Sequence, residues 1–387
     1  MNAINFDRLG ETLAGLTASF AAGAAAHDRD ARFPFENFAR LHEHGLLALT
    51  IPAIHGGGEA DLATSARVIA AVARGEPATA LVLTMQYLLH RGATRTWPQA
   101  VADRVRADAV RHGALSNALR VEPELGTPAR GGLPATIGRR VSGGWSISGH
   151  KIYSTGIPIL RWLAVWGRTD EDTPRIGFFL VPRDAPGITV VETWNHLGMR
   201  ASGSHDVILQ DVVVPEDHGV DLRPPAAWAD RTAHDLSWMM VLQLTIYDSV
   251  ARAARDWLVH YLTERTPSNL GAALSTLPRF QEAVGEIDGR LLTNETLLHA
   301  ATVAADRGAP WAAERVLLIK HTVTENVIAV TARAVELVGN PGMDRKNPLE
   351  RHYRDALCSR IHTPQNDTIL TAAGRAAFGG MAQALRA

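Results

Sequence analysis

Apolar positions along the chain follow two different periods, and the switch between them divides the molecule. Residues 4–47 carry apolar side chains at helical spacing, with Leu9, Leu13, Leu16 and Phe20 on one face. Pro34 opens a second helix, FENFARLHEHGLL, and residues 61–74, 78–95 and 97–112 continue the helical pattern. From Gly113 to Pro215 the period shortens. Runs rich in Val, Ile, Trp, Phe and Leu alternate with the turn clusters SGG, SGHK, DAPG and PEDHG, the pattern of short strands joined by tight turns. Helical spacing returns in 235–263, 281–307 and 311–338, and a last helix is expected from Asp367. The patterning predicts an α+β chain: a helical domain over 1–112, a β-domain over 113–222 and a helical domain over 223–387.

Composition narrows the class without changing that picture. A chain of 387 residues has room for two or three domains. A net charge of −1 argues against nucleic acid or an anionic membrane as the main partner. No apolar run is long enough for a transmembrane helix. The first residues, MNAINFDRLGETLAGL, lack a basic stretch before an apolar one, so no secretory signal is expected. Cys358 has no partner for an internal disulfide, which suits a reducing cytoplasm, and reads as a small buried apolar residue before a nucleophile. No Cys/His cluster has metal-ligand spacing.

Several positions carry candidate chemistry. Gly56–Gly58 resemble a phosphate cradle in composition, but no Lys or Ser/Thr follows at P-loop spacing, so a plain loop is expected. His90 closes an apolar helix and reads either as a helix-terminal His favoured by the macrodipole or as an active-site residue. Ser116, at the end of the first strand, and Tyr153, Ser154 and Thr155, behind Lys151 in the apolar strand KIYSTG, place hydroxyls where a flat polar ring needs donors and acceptors; turn capping is the alternative. Arg265 ends a helix in ERTPSNLG and is available to a phosphate. Gly339 and Gly342 break a long helix, and Arg351, Arg354 and Asp355 precede a loop carrying His362, a site candidate or a solvated loop residue.

The segments LLALTIPAIHGGG, GHKIYSTG, LGMRASGSHDVILQDVVVP and AVELVGNPGMDRKNPLERHYRD, in this order over nearly the whole chain, resemble the acyl-CoA dehydrogenase superfamily. The resemblance implies an N-terminal helical domain, a middle β-barrel domain and a C-terminal four-helix bundle, assembled as a homotetramer around FAD. By position it puts Ser116 and Thr155 on the isoalloxazine ring, Arg265 on the pyrophosphate of a neighbouring subunit, and Glu336, Gly339 and Gly342 near the adenosine. Glu336 stands where the family keeps Gln, and its carboxylate is unfavourable beside a pyrophosphate.

The departures concern the catalytic base. The family's Glu slot after Arg354-Asp355 holds Thr363, and the alternative slot at the start of the first C-terminal helix holds Met239. Neither side chain can take a proton at neutral pH. Asp235 lies one helical turn before Met239 and substitutes only if the register shifts. Flavin monooxygenases of the dibenzothiophene and hydroxyphenylacetate type, a branch of the same superfamily, also lack the Glu. They use O2 and reduced flavin from a separate reductase, with His and Ser beside the reacting carbon. His90, Ser154 and His362 lie where this chain is similar to that branch, and IHTP resembles its His-Asp-Pro run.

Three functions follow. The first is an FAD-dependent oxidoreductase acting on an acyl-CoA-like or related small organic substrate with an atypical base, passing electrons to a separate acceptor. The second is a two-component monooxygenase using reduced flavin and O2; in either case the residues do not fix FAD over FMN, though Arg265 leans toward the dinucleotide. The third is a non-catalytic flavin-binding or interaction protein. The helices 235–263 and 311–338 carry more apolar positions than one bundle face needs, which predicts a homo-oligomer, in the resemblance a homotetramer.

Overall fold

The computed structural model describes residues 4–126, 132–228 and 232–384; the stretch 127–131 of the strand-rich segment lies outside the described residues. The chain divides into two compact units. One comprises Met1–Ser65, Ala78–His196 and Arg200–Thr232, the other Ala66–Pro77, Leu197–Met199 and Ala233–Ala387.

Five helices precede the strands: α1 (Leu9–Asp30), α2 (Phe35–Glu43), α3 (Leu62–Gly75), α4 (Pro77–Thr96) and α5 (Gln99–His112). Leu9, Leu13, Leu16 and Phe20 of α1 are all buried, as their spacing requires. Pro34 and Pro98 sit immediately before α2 and α5, and Gly113 ends α5 in the left-handed conformation (φ 66°), which a residue without a Cβ adopts freely. The Gly56–Gly58 loop has a packing explanation. A Cβ on Gly57 would lie 2.2 Å from the Ile51 carbonyl oxygen, and one on Gly58 would lie 2.9 Å from that of Leu49. The glycines let the chain fold back on itself.

In the first unit follow β1 (Leu115–Leu119), β2 (Ile137–Val141), β3 (Gly144–Lys151), β4 (Leu160–Thr169), β5 (Ile176–Pro182), β6 (Ile188–Val191), β7 (Asp206–Pro215) and β8 (Gly219–Arg223). They form one sheet in the order β6-β7-β3-β2-β4-β5-β8, with β1 parallel to β4. β4 and β5 are buried almost continuously, whereas β7 largely alternates buried and exposed positions. The difference follows from cover. Trp162, Trp166, Phe178 and Leu180 of β4 and β5 pack with Val101 and Val105 of α5, so that face sees no water.

At the end of β3 a buried ion pair anchors the sheet. Lys151 Nζ donates to Glu122 Oε1 at 2.6 Å and to the Trp166 carbonyl, while Glu122 also accepts from the hydroxyl and N–H of Thr136 and the N–H of Ala135. Burial pulls Lys151 down to about 8 against the attraction of Glu122. Burial alone would raise Glu122; Lys151, Thr136 and Ala135 together hold it below the usual carboxylate value. Both carboxylate oxygens are used, which is the condition under which a buried pair is tolerated.

The second unit contains α6 (Ala233–Glu264), α7 (Pro278–Asp306), α8 (Ala313–Val338), α9 (Asn340–Met343), α10 (Leu349–Ile361) and α11 (Asn366–Ala384). Between Leu236 and Ala251, α6 is buried on nearly all sides, packed against α7, α8 and α10. Its surplus of apolar positions therefore reflects a central place in this bundle and does not itself demand a second copy. A polar network crosses the bundle: Arg252 Nε donates to Asp248 at 2.7 Å, Asn294 Nδ2 to Asp248 at 2.9 Å and Asn326 Nδ2 to Asn294 at 2.9 Å. Leu197–Met199 belong to this unit because α10 holds them: Met199 N–H donates to Asp355 Oδ1 and Arg354 Nη1 to the Leu197 carbonyl. Among the described residues no helix is long and apolar enough to cross a membrane.

Candidate functional site

In the sheet-containing unit, backbone pairing gathers hydroxyls from three places in sequence. β3 stops at Lys151, so Tyr153, Ser154 and Thr155 lie just beyond the strand, where their pattern had placed them inside it. Tyr153 adopts a left-handed conformation (φ 56°), uncommon without a glycine, and the chain turns there. Tyr153 is left 53% exposed while Ser154 is buried to 1%. Ser154 N–H then donates to the His205 carbonyl and Gly156 N–H to that of Ser202. This zips the turn onto the ASGSH segment and links Thr155 Oγ1 to Ser204 Oγ at 3.0 Å and Ser204 Oγ to Ser202 Oγ at 2.8 Å. Asn117 Nδ2 donates to the Thr155 carbonyl, bringing β1 alongside.

Ser116 is the second residue of β1, at the start of the strand and not its end. Its N–H donates to Gln86 Oε1 at 2.8 Å, and Gln86 Nε2 returns to the Ala114 carbonyl. Gln86 thus ties α4 to β1. His90 lies one turn further along the same face of α4. It does not close that helix, which runs on to Thr96, so the macrodipole does not account for it. His90 is buried, its Nε2 has no hydrogen-bond partner among the described residues, and burial, then Arg106, lowers its pKa to about 3.

Ser116 Oγ and Ser154 Oγ are likewise buried with no partner among the described residues. Buried hydroxyls in folded proteins normally find one. The two orphaned hydroxyls and the Thr155–Ser204–Ser202 chain are donors and acceptors of the kind that the polar edge of a flavin ring takes. Turn capping does not explain Ser116 or Ser154, whose side chains cap nothing.

In the helical unit, His362 is the C-cap of α10, half-buried, and not a free loop residue. Its Nδ1 lies 2.9 Å from the hydroxyl of Tyr247, a fully buried side chain of α6. Burial, followed by the charge of Lys320, lowers His362 to about 4. Lys320 is itself buried, brought down to about 8 chiefly by burial, and donates to Asn366 Oδ1 at 2.7 Å and the Arg360 carbonyl at 3.3 Å. Asn366 in turn donates to Thr324 and Glu325. The turn carrying His362, Thr363 and Pro364 is pinned at both ends. One turn before Tyr247 on α6, Gln243 is 8% exposed and its Oε1 has no partner among the described residues, and one turn earlier again lies Met239. Asp235 stands in the first turn of α6, where a carboxylate complements the helix dipole.

The remaining predicted positions stand apart. Arg265 follows α6, exposed, and its side chain makes no hydrogen bond or ion pair among the described residues. Gly339 caps α8 with φ 69° and has open space where a Cβ would be. A Cβ on Gly342 would lie 2.8 Å from the Val335 carbonyl oxygen, so helix packing already requires that glycine. Glu336 is paired with Arg333 at 2.8 Å, which answers its charge locally. Cys358 is pushed up to about 12 by burial, consistent with an unreactive thiol. Among the described residues no group of His, Cys, Asp and Glu is placed to hold a metal. Gln86, Asn117, Ser202, Ser204, Gln243, Tyr247 and Lys320 were not singled out from sequence. Gln86, four residues before His90, and Ser202 and Ser204, inside the motif LGMRASGSHDVILQDVVVP, carried a local signal.

Three family descriptions match the chain: the acyl-CoA dehydrogenase N-terminal domain over residues 11–95, the middle domain over 120–212 and the C-terminal domain over 249–366. Among curated proteins, "Putative acyl-CoA dehydrogenase YdbM" of Bacillus subtilis (strain 168) is 32% identical over 95% of this chain and 96% of its own. L-evernosamine nitrososynthase of Micromonospora sp. is 31% identical over 92% and 86%. Among solved structures, KijD3 in complex with FMN and dTDP-3-amino-2,3,6-trideoxy-4-keto-3-methyl-D-glucose superposes with a TM-score of 0.81 at 28% identity, covering 96% of this chain and 92% of that one. With three domain matches in order and a relative above 30% identity along nearly its full length, the chain belongs to the acyl-CoA dehydrogenase family of flavin-dependent oxidoreductases.

Proposed function

We propose that this chain is a flavin-dependent monooxygenase that takes reduced flavin from a separate reductase and transfers one atom of O2 to a small organic substrate. The observation that carries the reading is His362. At neither family base position does a carboxylate stand, and beside Thr363 there is an imidazole lowered to about 4. Such a group is neutral at pH 7 and a poor base for an acyl α-proton, but it is a competent hydrogen-bond donor. Reduced flavin supplies two electrons, so that one oxygen atom enters the substrate and the other leaves as water. Ser116, Ser154 and Thr155 are the groups left to hold the ring's polar edge, and His362 is the imidazole left to donate a hydrogen bond.

An amine on a nucleotide-linked sugar is the first substrate class to try, because a relative of 31% identity is named a nitrososynthase and the KijD3 complex holds an amino sugar nucleotide. That complex also holds FMN. Arg265, without a partner among the described residues, is the position a second phosphate of FAD would use, so titration of the protein and of Arg265→Ala with both flavins separates the two. The homotetramer remains a proposal, supported by exposed Leu292 on α7 and Leu318 on α8. Cytoplasmic residence is the companion expectation, on the strength of a lone free cysteine.

The dehydrogenase reading is favoured by the 32% identical relative. Anaerobic mixing of oxidised holoenzyme with an acyl-CoA panel decides between them. Bleaching of the flavin by an acyl-CoA overturns the monooxygenase. Its absence, together with incorporation of isotope from labelled O2 into an amino sugar nucleotide when reduced flavin is supplied, supports it. His362→Ala is expected to keep flavin binding and lose roughly 100-fold in turnover, an ordinary acid–base contribution, with more hydrogen peroxide released.

A further inference from the structure

We propose that Tyr247 is a positioning residue that fixes His362 in the tautomer protonated at Nε2, so that His362 offers an N–H donor to its ligand and never an acceptor. The inference rests on the functional reading of His362 and assigns a role to a residue of α6 that this reading leaves out.

Heavy-atom positions alone allow two arrangements of the 2.9 Å contact between the Tyr247 hydroxyl and His362 Nδ1. Either the phenol donates to a bare Nδ1, or an Nδ1–H donates to the phenol oxygen. Burial separates them. Tyr247 is fully buried, and its hydroxyl has no other partner among the described residues. If it accepted from Nδ1–H, its own proton would point into protein with nothing to receive it. A buried donor left unmade is the costly case, whereas an acceptor oxygen with a spare lone pair is common. The phenol therefore donates, and Nδ1 must be unprotonated.

Burial, and after it the charges around the ring, exclude the doubly protonated form. Burial lowers the imidazole first and Lys320 from α8 adds to it, with Lys320 itself held by Asn366 and the Arg360 carbonyl. The nearby acids do not offset it: Asp355 of α10 accepts from Met199 N–H, and Glu325 of α8 is bound to Arg360. Cys358 stays a thiol, and Tyr247 is raised well above its usual value by burial. With one proton on the ring and Nδ1 bare, that proton is on Nε2. His362 Nε2 makes no hydrogen bond among the described residues, and it is not among the buried polar atoms lacking a partner. It is the edge left for a ligand. The same logic that identifies a catalytic imidazole's tautomer from the hydrogen bond at its other nitrogen applies here.

The test reads the two ring nitrogens directly. Protein labelled with ¹⁵N in its 16 histidines is examined by NMR as the flavin-bound holoenzyme near neutral pH, with the His362 signals assigned by their disappearance in His362→Gln. The expected result is a pyridine-type Nδ1 and a pyrrole-type Nε2. A pyrrole-type Nδ1 in the unaltered protein overturns the proposal, and this measurement needs no variant to fold. In Tyr247→Phe, with flavin binding checked by absorbance, the two signals should shift toward averaged values as both tautomers populate, and kcat should fall with KM retained. Unchanged nitrogen shifts in Tyr247→Phe also overturn it. Turnover of His362→Gln reports separately on the functional reading: wild-type turnover with an Nε2–H tautomer defeats that reading and leaves the tautomer assignment standing.

Discussion

Two buried polar clusters, one in each unit, differ in what they leave unpaired. In the helical unit, Asp248, Asn294, Asn326 and Arg252 hand hydrogen bonds to one another across α6, α7 and α8. In the sheet-containing unit, Ser116 and Ser154 are as deeply buried, yet their hydroxyls meet no partner among the described residues. Both clusters carry a desolvation cost, and only the first recovers it within the chain. A saturated network serves the fold. An unsaturated one leaves room for a partner from outside the chain, and the partner we propose is the flavin ring. The Glu122–Lys151 pair, in the same unit as the orphaned serines, shows that burial alone is not the mark of a site, since both its carboxylate oxygens are used.

The largest expected effect is on the pH dependence of stability, through three histidines outside both clusters. His90, His352 and His362 are held neutral, at about 3, about 3 and about 4, in each case chiefly by burial. A histidine whose folded pKa lies below its unfolded value contributes stability that is complete above about pH 6.5 and is lost as pH falls through the folded value. Between roughly pH 6 and 4.5 the unfolded chain binds about three more protons. Stability should fall by about 4 kcal/mol per pH unit there, at about 1.4 per histidine. Urea unfolding across that window checks it, and a flat profile would mean these rings are charged in the folded state.

Breaking a saturated pair comes next. Lys151→Met leaves Glu122 buried without its cation and should cost about 3–5 kcal/mol. If thermal unfolding of the variant matches the parent, the pair is not the anchor of β3 that its bonds suggest. Asn294→Ala removes the middle of the bundle network and takes one partner each from Asp248 Oδ1 and Asn326 Nδ2. A loss of about 2 kcal/mol is expected, with flavin affinity unchanged. The smallest effect belongs to the site. Ser116→Ala removes a hydroxyl that pairs with nothing in the described chain, so apoprotein stability should move by no more than about 0.5 kcal/mol. Flavin affinity should nevertheless drop about tenfold, or about 1.4 kcal/mol, and Thr155→Val should behave alike or shift the flavin spectrum. Equal losses in stability for Ser116→Ala and Asn294→Ala would erase the distinction between the clusters.

Much of the architecture was legible in the pattern of apolar positions. The four residues that define the buried face of α1, the strand-rich run after Gly113 and the helix expected over 281–307 all lie where their spacing placed them. Local chemistry erred where a boundary depended on packing. KIYSTG reads as strand throughout, but β3 ends at Lys151 because Lys151 is tied to Glu122 and Tyr153 turns out of line. His90 looked terminal because Arg91 and Gly92 follow it, yet α4 continues to Thr96.

The candidate site divides in the same way. Ser116, Ser154, Thr155 and His362 were visible as residue types inside motifs, since hydroxyls at a strand exit and an imidazole at a helix exit are local features. Their partners were not. Tyr247 lies 115 residues from His362, and Gln86 lies 30 from Ser116. Lys320 reaches Asn366 across 46 residues. Periodicity assigns a residue to a face, so it could mark Tyr247 and Lys320 only as buried positions on helices. Which buried polar atom meets which, and which meets none, is settled when helices and strands distant in sequence pack together, because a hydrogen bond depends on position to within a few tenths of an ångström and residue spacing carries no such information.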